Sequence, residues 1–169
     1  MNTVNFNQLI CKNVSGKAEN ISGIFDTLVC EKGKNTIFVY VISSQILDKS
    51  ASNYDSYYYR IVLRQFGNSP EDLKSYRIDS GSIWDAKSIK NSCVGDENQT
   101  RHTTTRSGST VKLIIEYEHD FEIQGHHEID VYAKKLEEGH TMESAEKLSV
   151  KELDLVSICP FNVIFLNDE

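Results

Sequence analysis

The fifteen residues EHDFEIQGHHEIDVY (118–132) hold three histidines and five acidic side chains. Imidazoles and carboxylates at this density could ligate zinc, hold a harder cation, or move protons. Elsewhere the chain offers little reactive chemistry. It has no Gly-x-Ser-x-Gly elbow, no Walker A loop, no dinucleotide fingerprint and no His-Glu-x-x-His helix. Ser80 and Ser82 stand between two aspartates in DSGSIWD (79–85), which is ordinary turn chemistry without an adjacent base.

The elements that position the cluster are strands. TVKLIIEYEHDF (110–121) and HEIDVYAKKL (127–136) alternate apolar and polar residues. Only a short Gly-containing segment separates them, so they are expected to pair as a hairpin. A register in which paired positions sum to 246 keeps each face consistent and sets Ile115 against Val131, Tyr117 against Ile129 and His119 against His127. The pleat then divides the cluster. His119 and His127 form a pair on the core side, and Glu116, Glu118, Glu128 and Asp130 stack on the exposed face with His126 at the tip. Zinc needs three or four ligands, and neither a cysteine nor a third histidine is locally placed. No metal site is therefore expected, His119 and His127 being the remaining metal candidates. The acidic face suits a basic protein partner by charge complementarity.

Two further surfaces are candidates for partner binding. YDSYYYR (54–60) concentrates four tyrosines, with Tyr57 and Tyr59 on one strand face and Tyr58 on the other. Exposed tyrosines make good recognition surfaces, and aromatic core packing is the competing use. TRHTTTR (100–106) is the local basic patch, carrying Arg101, His102 and Arg106. Trp84, the single tryptophan, reads as a core or rim anchor.

The rest of the chain is read as mainly β. Strands are expected at 6–11, 21–30, 35–47, 57–66, around 76–84 and at the C-terminal LVSICPFNVIFL. The first two should form a hairpin turning near Gly16–Glu19, with paired positions summing to about 35, which places Cys11 near Ile24 and Cys30 near Asn5. Pro70 opens a single helical turn, and a short helix is expected around Met142–Leu148. Pro160 lacks an N–H, so its strand should lie at an edge or carry a bulge there. Residues 85–110 are polar and aperiodic and read as a long loop with a short strand around Arg101–Arg106. About eight strands and one or two short helices make an antiparallel Ig-like β-sandwich, expected as one domain over 1–169.

The chain also resembles a bacterial family of uncharacterised single-domain Ig-like β-sandwich proteins. The matching residues are the turn at Gly16 and Lys17, the strand Gly23-Ile24-Phe25-Asp26, the run Gly125, Ile129 and Val131, and the closing Pro160, Phe161 and Val163. The chain departs from that pattern in its 85–110 loop and a 137–150 insertion. The resemblance implies the fold and supplies no activity and no catalytic residues.

The bulk properties exclude several classes. The 169 residues carry a formal net charge of −7, which disfavours a surface that tracks nucleic-acid phosphates. The longest apolar run, TIFVYVISSQIL, is too short to span a bilayer, and MNTVNFNQLI lacks the features of a signal peptide. Cysteines 11, 30, 93 and 159 form no Cys-x-x-Cys motif and are expected to be reduced in the cytoplasm. The expected function is a non-enzymatic interaction module that binds a protein partner without a cofactor. The alternative is a metal- or ligand-dependent protein, a hydrolase among them, using His119, His127 and nearby carboxylates.

Overall fold

The computed structural model describes residues 2–15, 20–84, 100–137 and 141–166. The architecture is the expected β-sandwich, with ten strands among the described residues in place of about eight. In chain order they are β1 (Thr3–Ser15), β2 (Asn20–Ile24), β3 (Thr27–Cys30), β4 (Gly33–Ile46), β5 (Tyr57–Gly67), β6 (Lys74–Ile83), β7 (Thr100–Ser107), β8 (Thr110–Phe121), β9 (Gly125–Lys135) and β10 (Asp154–Phe165). One five-stranded sheet has the order β2-β1-β4-β8-β7, and the other has the order β3-β10-β9-β5-β6. All pairs are antiparallel except β3 with β10.

The first hairpin has the expected register, with Cys11 opposite Ile24 and Val14 opposite Ile21. It does not continue to Cys30. The chain leaves the first sheet after Ile24, and β3 joins the second sheet with Cys30 beside Phe165. Cys11, Cys30 and Cys159 are free thiols, and Cys93 lies outside the described residues.

The second hairpin is where expectation and structure part. β8 and β9 do not pair: β8 lies between β4 and β7, and β9 lies between β10 and β5. The three residues 122–124 carry the chain from one sheet to the other, and Gly125 takes the corner at φ +106. Alternation fixes which side chains face inward, but both arrangements satisfy it. Crossing to the opposite sheet lets the inward rows of β8 and β9 line the core from both sides. Val111, Leu113, Ile115, Tyr117 and Phe121 come from β8, and Ile129, Val131 and Ala133 from β9, all at most 3% exposed. Burying both rows at roughly 25 cal/mol per Å² is the main stabilising term of the sandwich.

Pro160 fits the edge rule locally. β3 pairs with β10 only from Asn162 to Phe165, so the ladder at Pro160 has a partner on the β9 side alone. The Leu155/Ser157 irregularity in the same strand lies away from Pro160. Pro70–Asp72 forms the expected helical turn, of 3-10 type. The expected helix appears as α1 (Met142–Glu146), capped by Thr141, whose side chain accepts from the Ser144 N–H. Of the expected 85–110 loop, Thr100–Ser107 is strand β7, and residues 85–99 lie outside the described residues.

The segment around α1 covers the outer face of the second sheet. Tyr58, Val62, Tyr132, Ala145 and Leu153 form a small second core there. Arg60, 4% exposed, runs beneath the segment and donates to the carbonyls of Leu148 at 2.8 Å and Glu146 at 3.2 Å, and to the Tyr58 hydroxyl at 2.9 Å. Those carbonyls lie at the end of the helix, where a guanidinium meets both orphan acceptors and the negative end of the dipole. The Glu146 carboxylate is held by Arg77 and by the Ser80 hydroxyl, both at 2.6 Å.

Candidate functional site

The crossing between β8 and β9 creates an opening at one end of the sandwich, where the two sheets are not closed over each other. A cavity of about 230 Å³ lies there. Its floor is Gln65 from β5, Tyr76 from β6, and Tyr117 and His119 from β8. Lys74, Asp120, Glu122 and Ile123 stand around the mouth, and the three charged residues are exposed.

His119 is the central group. It is the next inward position after Tyr117 on β8, so the alternation that buries Ile115 also buries this imidazole, which is 5% exposed. Its Nδ1 lies 3.0 Å from the Tyr117 hydroxyl. The rings of Tyr76 and Phe121 meet it edge-on at 4.7 Å each. Its Nε2 is buried and has no hydrogen-bond partner among the described residues. Burial pulls its pKa down to about 4, and a charge on His127 adds to the effect, while Asp120 opposes it. The group is therefore a neutral imidazole at ordinary pH.

His127, fully buried on β9, donates from Nδ1 to the Gly125 carbonyl at 2.9 Å. That bond places the proton on Nδ1 of the neutral ring and leaves Nε2 a buried acceptor without a partner among the described residues. Burial lowers its pKa as well. The Gly125 bond opposes that shift, and His126 adds to it. Both histidines are thus on the core side, but they come from opposite sheets and are not neighbours across a hairpin. Among the described residues no group of three or more His, Cys, Asp or Glu is placed to hold a metal ion.

The four-carboxylate face does not exist as one surface. Glu116 and Glu118 belong to the first sheet, and Glu128 and Asp130 to the second. The predicted stacking rested on β8–β9 pairing, and it disappears with that pairing. Glu118 makes an ion pair with Lys34 at 3.7 Å, and Glu128 lies 3.2 Å from His126 Nε2. Asp130 is fully buried, 3.6 Å from Arg64, and accepts from the Tyr132 hydroxyl at 3.4 Å. Burial pushes its carboxyl pKa up, the neighbouring Glu128 pushes it further, and Arg64 and Tyr132 oppose the rise.

The other candidates are dispersed too. Tyr59 is 2% exposed and donates to Asp79 at 2.9 Å, so it is part of the core and not an exposed platform. Tyr57 is half-buried against Phe6. The segment around α1 covers the opposite face at Tyr58, so the tyrosine strand is buried on both sides. Arg101 sits opposite Glu116 in the β7–β8 register. Arg106 lies over the rings of Tyr54 and Trp84 at 4.9 and 5.4 Å. Trp84 is the core anchor expected, donating to the Ser43 hydroxyl at 2.9 Å, and it is the one non-glycine described residue with positive φ, at 75°.

Sequence reasoning found His119 and missed the residues that complete its cavity. Gln65, Lys74 and Tyr76 lie more than forty positions upstream on other strands, and nothing in their local sequence marks them. Only the sheet order brings them to the end of β8.

No protein-family model matches the chain, and no characterised protein matches its sequence. Among solved structures, it is similar to a family 9 carbohydrate-binding module from Caldicellulosiruptor kristjanssonii in complex with glucose. Identity is 10%, the match covers 85% of this chain and 98% of the other, and the TM-score is 0.35. It is also similar to a chain from work on T cell specificity and activation by the bacterial superantigen toxic shock syndrome toxin-1. There identity is 10%, coverage is 98% and 100%, and the TM-score is 0.30. Scores of that size leave the function to the site itself.

Proposed function

We propose that the chain is a cytoplasmic, non-catalytic binding module that takes a small polar molecule in the end cavity floored by His119. One observation carries this reading. A neutral imidazole, 5% exposed, lines a cavity of about 230 Å³, and its buried Nε2 has no partner among the described residues. A buried polar atom without a partner costs roughly 1–3 kcal/mol, and a ligand donor or acceptor that reached Nε2 would recover it. The volume is below the range of drug-sized pockets and suits a small ligand. His119 meets the Tyr117 hydroxyl and His127 meets the Gly125 carbonyl, so neither imidazole is paired with a carboxylate that would orient it as a general base, and the arrangement favours holding over turnover. The free thiols of Cys11, Cys30 and Cys159 suit a reducing compartment.

The test is a histidine-labelled NMR titration with four classes of small polar probe: zwitterionic, cationic, anionic and neutral. A saturable shift of the His119 ring signals, absent in His119→Phe, is expected for at least one class. Silence from all four at millimolar concentration ends the reading.

A second reading, a protein-binding module, is favoured by the outer face at the β3–β10 edge. Val29 and Ile164 are register neighbours there and are 41% and 48% exposed, with Ile158 further along at 51%. A Val29→Lys/Ile164→Lys variant of unchanged thermal stability should lose a protein that co-purifies with the wild type. Retention of the same protein by the variant removes that reading.

A further inference from the structure

We propose that the end cavity selects a ligand carrying both an ammonium and a carboxylate, a free polar α-amino acid in chemical class. This deepens the binding reading above and rests on it. The argument comes from how the sheets distribute charge around the mouth. Lys74 begins β6 and stands on the lip of the second sheet. Asp120 is near the end of β8, and Glu122 opens the segment that crosses to the second sheet, so both carboxylates stand on the β8 side of the mouth. All three are exposed, and no ion pair between Lys74 and either carboxylate closes the gap. The opening is therefore bipolar, cationic on one side and anionic on the other.

The floor has the opposite character. The imidazole of His119, the amide of Gln65 and the hydroxyls of Tyr76 and Tyr117 are uncharged donors and acceptors. Gln65 is anchored by one bond, from its Nε2 to the Asp72 carbonyl at 3.0 Å, which fixes the amide's orientation. A buried charge on the ligand would find no counter-charge on this floor and would be costly there. A neutral polar side chain is matched on the floor, while the backbone charges of an amino acid are matched at the lips. A purely anionic or purely cationic ligand meets one favourable lip and one repulsive one. A neutral polyol uses the floor and gains nothing from the mouth.

The test compares four probes in the histidine-labelled titration of the full chain. L-glutamine is zwitterionic, N-acetyl-L-glutamine is anionic, L-glutaminamide is cationic and D-glucose is neutral. L-glutamine is expected to shift the His119 ring signals with an affinity about tenfold above each of the other three. Because exposed ion pairs are individually weak, Lys74→Gln and Asp120→Asn/Glu122→Gln should each lower L-glutamine affinity about threefold to fivefold. Lys74→Gln should leave L-glutaminamide binding unreduced, a selectivity that a merely structural effect would not produce. Equal binding of D-glucose and L-glutamine, or full L-glutamine affinity in both lip variants, overturns the proposal while the cavity reading stands. Failure of every probe removes both.

Discussion

His119 on β8 and His127 on β9 enter the core from opposite sheets, and each meets the ring of Phe121 edge-on, at centroid distances of 4.7 and 5.7 Å. Two neutral imidazoles therefore close the same end of the interior without sharing a strand pair. Most of what can be tested in this protein follows from that placement and from the crossing that produces it.

Acid should unfold the protein early. His119 is held at about 4 against an ordinary 6.5, and His127 is also lowered, both by burial. Below pH 6.5 the unfolded chain takes up protons that the folded chain refuses. The stabilisation is complete above pH 6.5 and is lost as pH falls through the window down to about 4. For His119 alone the loss is about 3 kcal/mol at the lower end. Urea unfolding at pH 7 and pH 4.5 measures it, and His119→Phe should flatten the difference relative to wild type. An identical pH slope in the variant would contradict the assignment.

Asp130→Asn should stabilise the protein at neutral and alkaline pH. The Asp130 pKa is raised, chiefly by burial and then by Glu128, so its stabilising protonated form is lost as pH rises through the folded value. An amide keeps the shape and removes the buried charge. A gain of about 1 kcal/mol is expected at pH 8, shrinking toward zero as pH falls to where Asp130 is protonated. Thermal denaturation across that range gives the result, and a lower Tm for Asp130→Asn at pH 8 would count against the account.

Arg60→Met should release the segment over the second sheet. The guanidinium supplies donors to the carbonyls of Ala145, Glu146 and Leu148 and to the Tyr58 hydroxyl. Removing it leaves buried acceptors unpaired, at a cost of about 3 kcal/mol. The loss should be local first, so amide exchange should accelerate across 142–153 before it does in β4 and β8. Uniform acceleration over the whole chain would show instead that the segment has no separate stability.

Gly67→Ala should cost more than Gly108→Ala, although both glycines have positive φ, at 60° and 56°. At Gly67 a Cβ would stand 2.5 Å from Asp72 Cβ and 2.7 Å from Ile123 Cδ1, whereas at Gly108 it meets nothing within 4 Å. The backbone term is about 1 kcal/mol at each site, and the clash should at least double it at Gly67. Because Ile123 lines the mouth of the cavity, Gly67→Ala should also shift the His119 ring signals. Equal Tm losses for the two variants would argue against the close approach.

Pattern and turn chemistry were enough for the strands themselves. The apolar alternation in 110–121 marked the inward face of β8 residue by residue, and it put His119 on the core side for the right reason. The β1–β2 register, with Cys11 opposite Ile24, followed from a short local turn that leaves little choice of partner. The same logic failed at the link between β8 and β9. That link is equally short, yet it spans two sheets, because each strand's hydrogen-bonding edges are already taken, those of β8 by β4 and the adjoining hairpin strand β7, those of β9 by β5 and β10.

What the sequence determined by itself is therefore the core-facing rows of β8 and β9, the mainly-β class and the two histidines that are buried, while Asp130, read as exposed, is fully buried. What the tertiary structure decided is which positions meet. A strand's side-chain period is a local property of its pleat, so it can be read from the residues in order. The neighbour a strand takes depends on competition among all the edges in the fold, which no single segment encodes. That competition separated Glu116 and Glu118 from Glu128 and Asp130. It also brought Gln65, Lys74 and Tyr76 to His119, making a cavity of residues that the sequence keeps apart.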